Sequence, residues 1–286
     1  MSETGTAAHR GRAPVFHWLR TVFFLIPSIA VYTIVLGSLS LLSGLVDRSG
    51  RIAHACARIW SWLILATTGV IVDCRGLERV ERGRTYVFVS NHQSIYDIPV
   101  IFASLPFQLR IIAKESLGRF PFLGWHLRRS GHLLVDRSRP DRAGILRRWK
   151  ALVGEGLSLI VFPEGTRSPD GRLGAFKAGS FLLAIEAGLP IVPLTVSGTI
   201  GVMTKGHLTT RPGRVRLVVH EPISTTGYVA AQARDLAARV RSIVEAPLLA
   251  ADPRADVAAA GGSAAADGLG TNRSDKVAPP STRKAR

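Results

Sequence analysis

The sequence has 286 residues, of which 47% are hydrophobic, and its 37 lysines and arginines against 20 acidic residues give a formal charge of +17. This length allows one substantial domain with appendages, and the charge favours anionic partners such as nucleic acid, an anionic membrane or a phosphorylated substrate. The two cysteines, Cys56 and Cys74, are too few for a disulfide framework or a cysteine metal cluster, so we expect free thiols in a reducing compartment.

The first distinct element is an uncharged apolar run at residues 21–46. As a helix it would be about 39 Å long, compared with a bilayer hydrocarbon core of roughly 30 Å. Such a helix can span a membrane with tilt, or bend at Pro27 and lie shallow. A cleaved signal peptide and a buried helix of a soluble protein are the alternatives, although the run is longer than a typical signal-peptide core. We predict a membrane anchor, preceded by a basic segment at residues 1–20.

A second uncharged run, at residues 59–72, is too short to span a membrane comfortably. Either the first run spans while the second packs or lies in the interface, or both form a hairpin that returns to the starting side. Trp60 and Trp62 suit the interfacial zone, and the arginines before the first run favour a cytoplasmic N-terminus. We assign residues 21–72 to a membrane-associated helical segment.

From residue 73 the pattern alternates between short β-like and helical segments, which predicts an α/β layered domain with a largely parallel central sheet over residues 73–249. Strands are predicted at residues 85–90, 110–114, 132–135, 157–162, 190–196 and 214–220. Helices are predicted at residues 94–104, 139–154, 177–188 and 228–245. Residues 250–286 contain almost no large apolar side chain, and we predict that this tail is disordered.

The stretch VSNHQSIYDIP contains His92 and Asp97, which follow a predicted strand and enter a predicted helix. The carboxyl ends of strands in α/β sheets are where ligands tend to bind. If His92 folds back from the turn, the Asp97 carboxylate can hold one ring nitrogen's proton and leave the other nitrogen as a base. The alternative is an ordinary helix cap formed by Asn91 or Ser94.

The stretch LSLIVFPEGTRSPDG leads from another predicted strand into a polar loop with Glu164, Gly165, Thr166 and Arg167. Gly165 permits positive φ or a close backbone approach, and Arg167 offers a planar fork of donors suited to phosphate. The alternative is a surface turn in which Glu164 and Arg167 pair with each other.

Between these two loops, Lys114 and Arg137 each end or follow a predicted strand, so both are candidates for the same edge of the sheet. The apolar segment at residues 120–125 is a candidate for lining an acyl-chain slot or entering a bilayer, and core packing is the alternative. Residues 119–150 form a local basic surface that comprises Arg119, Arg128, Arg129, Arg137, Arg139, Arg142, Arg147, Arg148 and Lys150.

In their order and spacing these motifs resemble the 1-acyl-sn-glycerol-3-phosphate acyltransferase (lysophosphatidic acid acyltransferase) family of the glycerolipid acyltransferase superfamily. The matching segments are NHQSIYD (91–97), KESLGRFPFLG (114–124), DRS (136–138), FPEGTRS (162–168), FKAG (176–179) and IVPLTVSG (191–198). The resemblance covers residues 55–225. The second segment departs from the family's usual Lys-x-Glu-Leu, so Glu115 receives no role from it.

The resemblance implies transfer of a fatty acyl group from a thioester to the free hydroxyl of lysophosphatidic acid, with His92 as general base and Asp97 as its orienting acid. If the family's roles apply to the matching positions, the acceptor is held by Glu164, Gly165, Thr166 and Arg167. The resemblance also makes Lys114 and Arg137 candidates for further contacts to the phosphate or the donor. The expected donor is acyl-CoA or acyl-carrier protein, with no permanently bound cofactor and no metal. We expect a cell-membrane protein whose catalytic domain faces the cytoplasm.

Three alternatives remain from the sequence. The acceptor could be glycerol-3-phosphate or another lysolipid, or His92 could activate water in a thioesterase. A non-catalytic basic protein that binds membrane or nucleic acid is the third, but the arginines lack interleaved aromatic residues, so we predict no nucleic-acid partner.

Overall fold

The computed structural model describes residues 15–47, 49–136 and 141–250 of the chain. It begins with α1 (Val15–Arg20), a π-helical turn (Thr21–Leu25) and α2 (Ile26–Ser43), which together form one continuous helix. Pro27 falls at the start of α2, where a missing backbone N–H is tolerated, and the turn before it is wound with a wider hydrogen-bonding pattern. The helix therefore continues through the position at which the sequence suggested a bend.

This N-terminal helix, Val15–Ser43, is long and apolar enough to cross a membrane by length and composition, and only 6% of its most apolar window is buried. Its exposed side chains include Phe23, Val31, Val35 and Leu42. A continuous apolar surface along a helix of 29 residues rarely faces water in a soluble monomer.

The second apolar run divides between a helix and a strand. The helix α3 (Arg51–Thr68) buries one face, including Cys56, Ile64 and Leu65, and packs against α2 and α4. The strand β1 (Val70–Arg75), which begins after Gly69, was missed by the sequence analysis. It was missed because only the alternating burial of its side chains distinguishes it from the apolar helix that precedes it.

Seven strands form one sheet in the described part of the chain, in the order β1-β7-β6-β2-β5-β3-β4. The strands after β1 are β2 (Val87–Ser90), β3 (Leu109–Lys114), β4 (Leu133–Val135), β5 (Ser158–Val161), β6 (Ile191–Ser197) and β7 (Gly213–Val219). Neighbouring strands are parallel except β6 and β7, which are antiparallel. The predicted α/β class with a largely parallel sheet is confirmed.

Helices cover both faces of the sheet. They are α4 (Asp97–Ser104), α5 (Leu123–Arg129), α6 (Arg142–Gly154), α7 (Gly179–Glu186), α8 (Thr199–Val202) and α9 (Ala233–Ala250). One core cluster joins α3 and α4 to the sheet through residues such as Ile64 and Ile101. The other joins α6, α7 and α9 to the opposite face through Trp149, Phe181 and Leu236. The sheet is thereby held between two apolar layers.

Three histidines lie close to Arg110, near the junction of α3, α5 and the sheet: His126 and His132 are buried, and His54 is half-buried. Burial, followed by the charge of Arg110, lowers the pKa of His54 to about 4. The same two causes lower the pKa of His126 to about 4. The pKa of His132 lies well below its usual value, chiefly because the ring is buried. These imidazoles are therefore neutral in the folded protein at neutral pH.

We expect the protein to lose stability as the pH falls from about 6.5 towards 4. The unfolded chain binds protons on His54 and His126 near pH 6.5, whereas the folded chain resists them until about pH 4, so the contribution of these two groups to stability is complete above pH 6.5. A pKa lowered from 6.5 to about 4 corresponds to roughly 3 kcal/mol of unfolding free energy for each of His54 and His126. Urea unfolding in detergent at pH 7.5 and 4.5 measures the loss.

The variant His54→Asn should have a shallower pH dependence, because it removes one of the groups that must stay neutral. The exposed His207 provides the matched control, since His207→Asn should leave the slope unchanged. Equal unfolding free energies for the unsubstituted protein at both pH values would contradict the expectation.

Candidate functional site

His92 lies in the turn that follows β2, and its ring is fixed by Asp97 at the start of α4. The Nδ1 atom of His92 is 2.8 Å from Oδ2 of Asp97. Asp97 is fully buried, whereas the His92 side chain is 12% exposed. The predicted pairing of these two residues is therefore present, with the imidazole between the buried carboxylate and the surface.

The hydrogen bonds of Asp97 fix the orientation of its carboxylate and the tautomer of His92. Its Oδ2 also accepts the backbone N–H groups of Gln93 (2.7 Å) and Ser94 (2.9 Å). Its Oδ1 accepts the hydroxyl of Thr199 at 2.5 Å. Because Oδ2 accepts two backbone N–H groups, it acts as the acceptor towards the imidazole as well, so His92 donates from Nδ1 and keeps its lone pair on Nε2. These bonds also explain why α4 begins at Asp97 and not at the predicted residue 94.

Two neighbours hold the His92 turn in place. The side-chain amide of Asn91 donates to the Val196 carbonyl and accepts from the Val196 N–H, both at 2.8 Å. The His92 ring stacks on Phe162, with centroids 4.1 Å apart. Asn91 thus ties the turn to β6, and Phe162 leaves the ring little freedom to rotate. Neither role was predicted from the sequence.

The loop after β5 is hydrogen-bonded directly to the His92 turn. Glu164 accepts the His92 N–H on Oε1 (2.7 Å) and the Gly174 N–H on Oε2 (3.0 Å). The Ser168 N–H donates to the His92 carbonyl at 2.8 Å. Burial raises the pKa of Glu164, while the two N–H donors oppose this shift. Because both of its carboxylate oxygens accept backbone donors, the contacts of Glu164 favour a role in holding the two loops together.

Gly165 and its neighbours shape the rest of this loop. Gly165 has φ +75°, and a Cβ at this position would lie 2.8 Å from Nζ of Lys177, so a larger residue would be strained and crowded. Nζ of Lys205 donates to the Thr166 hydroxyl (3.1 Å) and to the Arg167 carbonyl (2.9 Å). Within the described residues, the Arg167 guanidinium has no hydrogen-bond or ion-pair partner. The alternative hypothesis, a surface turn in which Glu164 pairs with Arg167, therefore does not hold among the described residues.

One of the two remaining predicted residues lies elsewhere along the same edge. Lys114 is the exposed last residue of β3, which neighbours β5 in the sheet, and Arg137 lies outside the described residues. The apolar segment packs through Phe122 near Gly37 of α2, while Phe120 and Trp125 are 58% and 51% exposed. Within the described ranges no group of three or more histidines, cysteines or acidic residues could hold a metal ion.

The known proteins to which this chain is similar include acyltransferases. A family model described as "Acyltransferase" matches residues 71–197. The 1-acyl-sn-glycerol-3-phosphate acyltransferase of Escherichia coli (strain K12) is 34% identical over 182 residues, which are 62% of this chain and 72% of that protein. A chloroplastic 1-acyl-sn-glycerol-3-phosphate acyltransferase of Brassica napus is 38% identical over 183 residues, 63% of this chain and 53% of that protein.

The crystal structure of the 1-acyl-sn-glycerophosphate acyltransferase PlsC from Thermotoga maritima has the same fold. It superposes with a TM-score of 0.72 and 26% identity, and the match covers 84% of this chain and 98% of that one. In contrast, this chain spans about half the length of three relatives, from Brassica napus, Arabidopsis thaliana and Chlamydomonas reinhardtii, with shares of 53%, 48% and 42%.

Proposed function

The chain belongs to the 1-acyl-sn-glycerol-3-phosphate acyltransferase family, and on that premise we propose that it moves a fatty acyl group from an acyl thioester to the free hydroxyl of lysophosphatidic acid, giving phosphatidic acid. The observation that carries the proposal is the bonding of the Arg167 loop to the His92 turn, through Glu164 and Ser168. A guanidinium with no partner among the described residues and a candidate base thus share one edge of the sheet, as a phosphorylated acceptor requires.

The chemistry follows from the tautomer of His92. Nε2 takes the proton from the acceptor hydroxyl while that oxygen attacks the thioester carbonyl carbon. The tetrahedral intermediate then collapses, the carbon–sulfur bond breaks, and the leaving thiolate takes the proton back from the imidazolium. Asp97 stabilises the imidazolium between these two steps. The acceptor oxygen attacks the thioester directly, so the mechanism needs no acyl-enzyme intermediate.

In this proposal the acceptor is bound by the loop after β5 and by neighbouring cationic side chains. Arg167 would pair with the phosphate, and Gly165 and Thr166 would face the glycerol part of the acceptor. Lys114, at the end of β3, and Arg137 are proposed as further phosphate or donor contacts. The donor is an acyl thioester of coenzyme A or of an acyl-carrier protein, and no resident cofactor takes part.

Replacement of Arg167 by alanine should raise the KM for lysophosphatidic acid by about 10- to 100-fold, with kcat changed much less. A charge-assisted bond contributes about 1.5–3 kcal/mol, and this one is made equally to substrate and transition state. Steady-state kinetics with a monoacylglycerol acceptor, which lacks the phosphate, should show no such difference. Arg234→Ala on the exposed face of α9 is the matched control. An unchanged KM in Arg167→Ala would contradict the assigned role.

We further propose that the N-terminal helix lies within one leaflet of the cell membrane, with the α/β domain on the cytoplasmic side. Arg20 donates to the Thr68 carbonyl at 2.9 Å, and Arg129 donates to the Gly44 carbonyl at 2.9 Å. These contacts join both ends of the helix to the remainder of the protein. A helix that crossed the bilayer would therefore carry charged parts of the domain into hydrocarbon, which is costly.

Single cysteines at the two ends of this helix test its orientation. Phe16→Cys and Leu45→Cys, at positions 68% and 81% exposed, should both react with an impermeant maleimide only from the cytoplasmic side. A Cys56→Ser, Cys74→Ser background removes the native thiols. Labelling of the two positions from opposite sides would show that the helix spans.

The activity itself is tested with purified protein in detergent and labelled acyl donors. Transfer to lysophosphatidic acid should exceed transfer to glycerol-3-phosphate and to lysophospholipids with a blocked phosphate. Acyl-CoA and acyl-carrier protein are compared as donors in parallel. Release of free fatty acid without an acceptor, at the rate of transfer, would identify a thioesterase instead.

A further inference from the structure

The buried carboxylate of Asp97 is supported differently on its two oxygens. Three donors reach Oδ2: Nδ1 of His92 and the backbone N–H groups of Gln93 and Ser94. Within the described chain, Oδ1 has one donor, the hydroxyl of Thr199 at 2.5 Å. The backbone donors follow from the local turn, but Thr199 is 102 residues further along the chain. Its hydroxyl is thus the one contact to this carboxylate that another element supplies.

Thr199 is brought to Asp97 by a tight turn after β6. It is the first residue of α8 and is completely buried. The preceding Gly198 has φ +91°, and a Cβ there would lie 2.6 Å from the Arg214 carbonyl oxygen, so only glycine fits. At the other end of α8, the Ser94 hydroxyl donates to the Met203 carbonyl at 2.6 Å. Both ends of this short helix are therefore fixed close to the His92 turn.

We propose that Thr199 is a positioning residue that acts on His92 through Asp97. This inference rests on the proposed acyl transfer, and Thr199 lies beyond the matched segment at residues 71–197. The hydroxyl sets the rotation of the carboxylate, so that Oδ2 faces Nδ1 of His92. It also takes up part of the negative charge of Asp97 through a short bond. Thr199 thereby limits how strongly the carboxylate holds a proton on the imidazole.

The substitution Thr199→Val removes the hydroxyl while it retains the shape of the side chain. We expect kcat to fall about tenfold with little change in KM, because a bond to a charged group that orients the base is lost. We also expect the acidic limb of the kcat–pH profile to move to higher pH, because the less compensated carboxylate favours the imidazolium. Glu164, a charged group that interacts with both His92 and Asp97, is unchanged in this variant.

Three comparisons decide the matter. Thr199→Ser, which restores the hydroxyl, should recover most of kcat and the original acidic limb. Thr225→Val is the matched control, because Thr225 is also buried and donates to a backbone carbonyl, that of Leu189, at 3.1 Å. It should leave both kcat and the pH profile unchanged. Thermal melting of each variant separates loss of folded protein from loss of turnover.

The proposal is overturned if Thr199→Val keeps wild-type kcat, or if kcat falls without any movement of the acidic limb. The second outcome would mean that the residue serves only the fold. Either result would leave acyl transfer intact, because the unsubstituted enzyme would still turn over. An inactive unsubstituted protein would instead remove the proposed function itself.

Discussion

Replacement of His92 by alanine should lower kcat by about 10²- to 10⁴-fold, with little effect on the KM for either substrate. The imidazole combines a nitrogen lone pair with contact to a buried acid, since Nδ1 is held 2.8 Å from Oδ2 of Asp97. Without it, the acceptor hydroxyl would have to attack the thioester while still protonated. Initial rates of labelled acyl transfer to lysophosphatidic acid measure the loss.

The control for this variant must separate chemistry from folding. His92 stacks on Phe162, so its removal leaves a small gap whose effect on stability is measured by thermal melting. His207→Ala, at an exposed position, should keep full activity. Near-normal turnover by a folded His92→Ala protein would end the general-base mechanism.

Asp97→Asn should lower kcat by roughly 10³-fold, through loss of charge more than through a change of tautomer. The asparagine oxygen is expected to take the Oδ2 position, where the Gln93 and Ser94 N–H groups require an acceptor. Its NH2 group would then face Thr199, whose hydroxyl can rotate to accept. His92 would keep Nε2 unprotonated, but the imidazolium would lose a carboxylate whose attraction is about 4 kcal/mol at 4 Å and an effective dielectric constant of 20.

The pH profile separates this explanation from a structural one. Loss of the carboxylate disfavours the imidazolium, so the acidic limb should move to lower pH, opposite to the expectation for Thr199→Val. Asp97→Ala should be more damaging, because it also leaves two buried backbone donors unpaired. An Asp97→Asn enzyme within threefold of wild-type kcat would show that the charge is not needed.

The fold class and the chemical content of the candidate site were both predictable from local patterns. Alternating strand and helix signals indicated a parallel sheet, and the polar residues after β2 and β5 were visible as interruptions of apolar runs. Because parallel strands end at one edge, His92 and Arg167 could be expected on the same side of the sheet. The spacing of the motifs then indicated the family.

Only the tertiary structure decided how these residues are held. It made β2 and β5 neighbours, directed Glu164 to the backbone of His92 across 72 residues, and brought Thr199 to Asp97 across 102. It also divided the second apolar run between α3 and β1 and packed the N-terminal helix against the α/β domain. The physical reason is that periodicity and turn chemistry act over a few residues, whereas strand order and contacts between distant side chains are selected by the packing of the whole core.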